Sequence, residues 1–191
     1  GPSSNITFTG AGGTAPYTFT YKIGTTGTPQ TVTTTAGNSV TVTAPTTTVG
    51  TVKYILLGVR EGSVDACTQT QADTVTITVS RVPAAAISGT SSVCLNGTAP
   101  VVTFTGSNGI APYRFTYNIN GGTPQTISTT TGNSVSINAP SNVAGLYNYN
   151  LVSVSDASPA LCSSAQTGTA AITIQALPTA AITGTTAVCQ N

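Results

Sequence analysis

The chain has 191 residues, a net charge of +1, and no histidine, methionine or tryptophan. Charged residues make up only 5% of it, against roughly a quarter in an ordinary soluble domain. That excludes a basic nucleic-acid footprint and every histidine-dependent triad or dyad. No apolar run approaches the ~18 residues that cross a bilayer. The 40 threonines, with valine, favour extended backbone, because branching at Cβ restricts χ1 and packs well on a pleated surface. An all-β protein is expected. So many hydroxyls with so few charges remove a common guard against edge-to-edge pairing. Neighbouring domains, glycans or deliberate assembly must then cover the strand edges. The opening Gly1-Pro2-Ser3 reads as the interior of a longer chain.

The sequence repeats. Thr7-Phe8-Thr9-Gly10 returns as Thr103-Phe104-Thr105-Gly106, and Ala15-Pro16-Tyr17 as Ala111-Pro112-Tyr113, both 96 residues on. Thr28-Pro29-Gln30-Thr31 and Gly37-Asn38-Ser39-Val40 return 95 residues on, so one extra residue lies between Tyr21 and Thr28 in the first copy. A third copy has begun by the end, where Pro83–Thr90 reappears as Pro178–Thr185. The expected domains are residues 1–82, a repeat without its first strand; 83–177, a complete repeat of about 95 residues; and 178–191, the first strand of a third.

In chain order, the second copy predicts strands at 84–88, 101–105, 113–119, 125–129, 134–138, 147–154 and 169–175. The third is the clearest: Tyr113, Phe115, Tyr117 and Ile119 alternate with Arg114, Thr116 and Asn118, the period-two signature of a half-buried strand. Asn120-Gly121 follows, a pair that tolerates φ > 0 and suits a tight turn. Seven short strands punctuated by turns predict an immunoglobulin-like sandwich. Arg81-Val82-Pro83 and Ala176-Leu177-Pro178 read as short proline linkers, which predicts tandem sandwiches in an extended rod.

Four cysteines without histidine argue for disulfides in an oxidising, extracellular setting over zinc. The expected pairing joins Cys94 to Cys162 inside the complete repeat, closing a loop worth roughly 4 kcal/mol. Cys67 and Cys189 would then pair with cysteines of adjoining repeats outside this sequence. The rival pairing is Cys67–Cys94 with Cys162–Cys189, a bridge across each linker.

No catalytic, cofactor or metal site is expected. The acids are Glu61, Asp65, Asp73 and Asp156. Glu61 and Asp65 share a loop, but their counterparts are Asp156 and Ala160, so the repeat does not preserve a carboxylate pair. Glu61 and Asp156 read as turn formers. The stripes Tyr17, Phe19, Tyr21 and Tyr113, Phe115, Tyr117 could be sugar-stacking platforms, but core packing explains them more simply. Tyr147 falls at a tyrosine-corner position.

Gly13-Thr14-Ala15-Pro16-Tyr17-Thr18-Phe19, the strand start Gly145-Leu146-Tyr147, Val154-Ser155-Asp156-Ala157 followed by Cys162, and Cys94-Leu95-Asn96-Gly97 together resemble a family. They are similar to the SprB-like, PKD-like repeats of giant Bacteroidota surface adhesins associated with gliding motility. The first copy departs at Gly50-Thr51-Val52-Lys53-Tyr54 and Glu61-Gly62. The resemblance implies type IX secretion, a cell-surface location, and a stalk or filament role in adhesion. The implied partners are adjoining repeats of the same chain, other copies side by side in a fibre, and extracellular surfaces or polysaccharide. Nucleic acid and membrane insertion are not expected. Asp73-Thr74-Val75 resembles the Bacteroidota O-glycosylation motif, which makes Thr74 a candidate modification site. A carbohydrate-binding module and a spacer in a secreted multidomain enzyme are the alternative functions.

Overall fold

The structure, a computed structural model, describes residues 4–184, 187, 189 and 190. The chain forms two compact units, Gly1–Arg81 and Val82–Asn191, and each is an Ig-like β-sandwich.

Unit 2 carries the fuller set of strands. They are β8 (Ala84–Ser88), β9 (Ser91–Cys94), β10 (Val101–Ser107), β11 (Arg114–Ile119), β12 (Gln125–Ser128), β13 (Ser134–Asn138), β14 (Gly145–Ser155), β15 (Ser163–Ala165) and β16 (Thr169–Gln175). One sheet has the order β13-β10-β8. The other runs β12-β11-β14-β16-β9, with β15 on the end of β14. The first strand is thus split between the sheets. β8 pairs antiparallel with β10, the chain crosses at Gly89-Thr90, and β9 then runs parallel to β16. Sequence reading missed β9, because Gly89-Thr90-Ser91-Ser92 reads as a turn, and missed the three-residue β15.

Unit 1 repeats the plan with β1 (Ser4–Thr9), β2 (Thr18–Ile23), β3 (Gln30–Thr33), β4 (Ser39–Ala44), β5 (Gly50–Arg60), β6 (Thr68–Thr70) and β7 (Thr74–Val79). β1 pairs with β4, and the second sheet is β3-β2-β5-β6 with β7 also on β5. Among the described residues, unit 1 has no counterpart of β8 or β9.

The alternating strands put their aromatic faces inward. Phe104 of β10 lies 5.7 Å from Phe115 and 4.9 Å from Tyr117, ring centre to ring centre, and Tyr117 lies 6.3 Å from Tyr149. Phe8, Phe19, Tyr21 and Tyr54 reproduce the cluster at 5.6, 5.0 and 6.2 Å. Separations of this size suit offset and tilted ring pairs. The stripes are therefore core, not sugar platforms. The recurring Thr-Phe-Thr-Gly has a steric reason: a Cβ on Gly106 would come within 2.5 Å of the Tyr113 ring, and Gly10 faces Tyr17 in the same way.

A β-bulge falls between Thr116 and Tyr117 against β14, and between Thr20 and Tyr21 against β5. It shifts the inward phase, so Tyr149 and Leu151 are buried but the next buried residue is Val154. The Asn120-Gly121 turn takes positive φ at both residues, 52° and 74°, and Gly122 N–H closes it on the Ile119 carbonyl at 2.9 Å. The Tyr147 hydroxyl donates to the Val143 carbonyl at 3.1 Å, the upstream backbone contact of a tyrosine corner.

Phe104→Ala removes the ring that joins the two sheets of unit 2. It is expected to cost roughly 3–5 kcal/mol. Urea denaturation followed by tyrosine fluorescence should show the unit 2 transition moving and the unit 1 transition staying in place.

Candidate functional site

The expected Cys94–Cys162 bridge is not formed, and no disulfide joins the four cysteines to one another. Topology gives the reason. β14 runs from Gly145, paired with Ile174, to Ser155, paired with Ser163. Cys94 pairs with Gln175, just past the Gly145 end. Cys162 adjoins Ser163 at the other end, where its carbonyl accepts the Asp156 N–H at 3.0 Å. About ten residues of strand at ~3.3 Å each separate them by roughly 30 Å, whereas a disulfide needs Cα atoms within about 7 Å. The crossing at Gly89 is responsible: it carries the chain on to the far end of the unit before Cys94 is reached.

Both units carry a polar cluster of matching geometry at the end of the longest strand. In unit 2 the Asp156 carboxylate accepts the Ile110 N–H at 3.0 Å and the Ser158 hydroxyl at 2.8 Å. Ala157 N–H returns a bond to the Ile110 carbonyl at 2.9 Å. In unit 1 the Glu61 carboxylate accepts the Thr14 N–H and the Ser63 hydroxyl, both at 2.7 Å, and Gly62 N–H returns to the Thr14 carbonyl at 2.8 Å. The acid therefore ties the loop before β11 to the loop after β14 in unit 2, and the loop before β2 to the loop after β5 in unit 1. It does more than form a turn. Sequence could not show this, because the partners are backbone groups of residues as different as Thr14 and Ile110.

The clamp is electrostatically one-sided. Burial of Asp156 opposes its ionisation, but the Ile110 N–H, the Ser158 hydroxyl and the neighbouring backbone outweigh it and hold the carboxyl below its ordinary range. Glu61 is likewise lowered, first by the Thr14 N–H, then by the Ser63 hydroxyl and the Cys67 thiol. The same carboxylate pushes the Cys67 thiol up, by accepting its hydrogen bond and by its charge. Asp65 and Asp73 are exposed and stand apart from these clusters. Among the described residues no three acids or cysteines come together to hold a metal. Thr74 is exposed at the start of β7, paired with Ile55. No helix among the described residues is long and apolar enough to cross a membrane.

No family model matches the chain, and no curated protein matches it in sequence. The solved structures that align with the chain include three bacterial adhesins. One is a Ca2+-stabilised adhesin that helps an Antarctic bacterium reach out and bind ice: 16% identity, 93% of this chain and 45% of that one, TM-score 0.46. The second is a 1.5-MDa bacterial ice-binding adhesin: 16% identity, 91% and 57%, TM-score 0.41. The third is a tetra-tandem repeat from the extending region of a large adhesion protein: 16% identity, 91% and 45%, TM-score 0.35. The chain spans about half the length of these structures.

Asp156→Ala leaves the Ile110 N–H and the Ser158 hydroxyl without their acceptor and is expected to cost roughly 2–3 kcal/mol. The pH dependence has a definite sign. A carboxyl whose folded pKa is depressed stabilises fully above its unfolded value near 4, and that stabilisation is lost as pH falls through the lower folded value. Melting temperatures between pH 6 and pH 2 should therefore fall more steeply for the parent chain than for Asp156→Asn.

Cys67 gives a second readout. A raised thiol is poor in thiolate at neutral pH and reacts slowly. Glu61→Gln should speed iodoacetamide labelling of Cys67 at pH 7.5, followed by mass spectrometry, and leave the rate at Cys189 unchanged.

Proposed function

We propose that this chain is a stretch of the stalk of a long cell-surface adhesin of bacteria, outside the cell, and that it does no catalysis. The observation that carries the reading is the fidelity of the repeat. Two units keep the same aromatic cluster, bulge and acid clamp, although the clamp acid and its backbone partner change identity. Both units keep the parts that make a sandwich stable, and among the described residues no three acids or cysteines come together. The array of repeats is then the functional object: it supplies reach, spacing and stiffness, with partners in adjoining repeats, in neighbouring copies, and in extracellular surfaces or polysaccharide.

The sequence resemblance extends this to SprB-like repeats of Bacteroidota, with type IX secretion and a part in gliding motility. Thr74, exposed on β7, is the proposed O-glycosylation site. Cys67 and Cys189, both exposed, are proposed to pair with cysteines of adjoining repeats. A third repeat is proposed to begin at Pro178.

Electron micrographs of the native material should show thin fibres with a spacing of one or two domains, roughly 40 Å each for an Ig-sized unit. A glycan array probed with the 191-residue chain should give no saturable signal. Tight binding to one defined sugar would replace the stalk by a carbohydrate-binding module, and a catalytic domain adjoining these units would make them an enzyme's spacer.

A further inference from the structure

The two units differ where the second strand of the larger sheet turns back. In unit 2 the Asn120 side chain caps the start of β14. Its Oδ1 accepts the Asn148 N–H at 2.8 Å, and its Nδ2 donates to the Leu146 carbonyl at 3.1 Å. The Asn120 N–H donates to the Asn148 carbonyl at 2.9 Å. Unit 1 keeps that last bond, from the Gly24 N–H to the Lys53 carbonyl at 2.8 Å. The main chains therefore share a register, with Gly24 in the place of Asn120, Thr51 of Leu146 and Lys53 of Asn148. The carboxamide is gone. Gly24 has φ +73°, and a Cβ on it would meet nothing within 4 Å.

The space so opened is a cleft of about 440 Å³, lined by Ile23, Gly24, Thr25, Thr51, Val52 and Lys53. Along it lie the two main-chain groups that the cap holds in unit 2, the N–H of Lys53 and the carbonyl of Thr51. The cap itself shows what chemistry fits them: an acceptor and a donor as close together as the two polar atoms of a carboxamide.

Unit 1 adds positive charge to the same place. Lys53 is exposed, and Lys22 Nζ donates to the Thr25 carbonyl at 2.9 Å. Lys22 lies opposite Ile55 on the outer face of the sheet, so it is the diagonal neighbour of Lys53, about 7–8 Å across the strands. The counterparts in unit 2 are the neutral Asn118 and Asn148. The acids of unit 1 lie elsewhere. Glu61 is held by the Thr14 N–H past the far end of β5, Asp65 follows it in the same loop, and the Asp73 carbonyl accepts the Leu56 N–H. The cleft thus presents an N–H, a carbonyl and two ammonium groups. A neutral amide would leave the charge unmet, and a bare carboxylate would leave the carbonyl without a donor. A carboxylate with a hydroxyl close beside it meets all of them, and a uronic acid carries that pair.

We propose that the Gly24 cleft binds a uronic acid unit of an acidic polysaccharide. The carboxylate accepts the Lys53 N–H and faces the two ammonium groups, in charge-assisted bonds, and a hydroxyl donates to the Thr51 carbonyl. The inference deepens the stalk reading by naming the polysaccharide chemistry that the array meets. So few contacts in an open cleft give a dissociation constant of about 1–10 mM, below what a glycan array retains. Hold on a long polymer comes from many such contacts made together.

The test is 1H–15N correlation spectroscopy of the 191-residue chain, titrated with sodium galacturonate at constant ionic strength. Saturable shifts are expected at Gly24, Thr25, Thr51 and Lys53, and none at Asn120, Leu146 and Asn148. Galactose, which lacks the carboxylate, should bind at least about tenfold more weakly, the loss of one charge-assisted bond. Gly24→Asn installs the cap of unit 2 at a φ that asparagine tolerates. It should weaken galacturonate at least about tenfold, as should Lys53→Asn, while the remaining resonances of unit 1 report that each variant is folded. Oligogalacturonate should give the same shifts at no higher concentration of uronate units. Five results would overturn the proposal: no shifts at several times the expected constant, equal shifts in unit 2, binding that Gly24→Asn leaves intact, binding of the free sugar acid without the oligomer, or tighter binding of a peptide through its C-terminal carboxylate. None of them bears on the stalk reading, which the fibre spacing tests.

Discussion

The ring of Phe104 is the aromatic anchor of a sheet made of β8, β10 and β13, and it must satisfy the whole opposite sheet through Phe115 and Tyr117. Much of the rest follows from that contact. Rings from both layers already fill the space, so the residues around them are small: Ala139 and Ala170 are buried and Ala85 packs at the margin. Tyr113 continues the row beside Phe115, and its ring leaves room only for glycine at position 106. The bulge in β11 and β14 then turns Leu151 and Val154 to the same interior in spite of their odd spacing. Phe8 imposes the same set of conditions on unit 1.

What could be read in the sequence was what depends on local periodicity. The alternation at Tyr113–Ile119, the Asn120-Gly121 turn and the repeat offset each need only neighbouring residues, and the strands they announced are present. What could not be read depends on where the chain goes between elements. The Cys94–Cys162 pairing assumed that a cysteine closing the first strand returns to the loop that precedes the last. The crossing at Gly89 puts Cys94 at the other end of the unit. The clamp was half legible: Asp156 and Glu61 stood out as acids at corresponding positions, but the N–H groups they hold belong to loops 46 and 47 residues away.

Scarcity of charge also has a structural answer. The outer face of the smaller sheet is laced by hydroxyl pairs across strands: Thr7 with Thr41, Thr9 with Ser39, Thr103 with Ser136 and Thr105 with Ser134, at 2.8–3.4 Å. Cross-strand pairs of this kind contribute a few tenths of a kcal/mol each. Unlike exposed ion pairs, they are not screened by salt. Such a face keeps its registration in fresh or salt water alike. It carries little of the net charge that keeps ordinary domains apart.

The parallel pairing of β9 with β16 has a mechanical consequence. In unit 2 the chain begins at the Asp156 end, near Ser164, and leaves past Gln175 at the Gly145 end. Tension applied to the two termini therefore pulls β9 and β16 in opposite directions along their common axis. The ladder from Ser91–Ile172 to Cys94–Gln175 is loaded in shear, so its bonds share the force at once and do not open one after another. A short run of serine, valine and cysteine beside the last strand thus sets how the sandwich of unit 2 resists stretching.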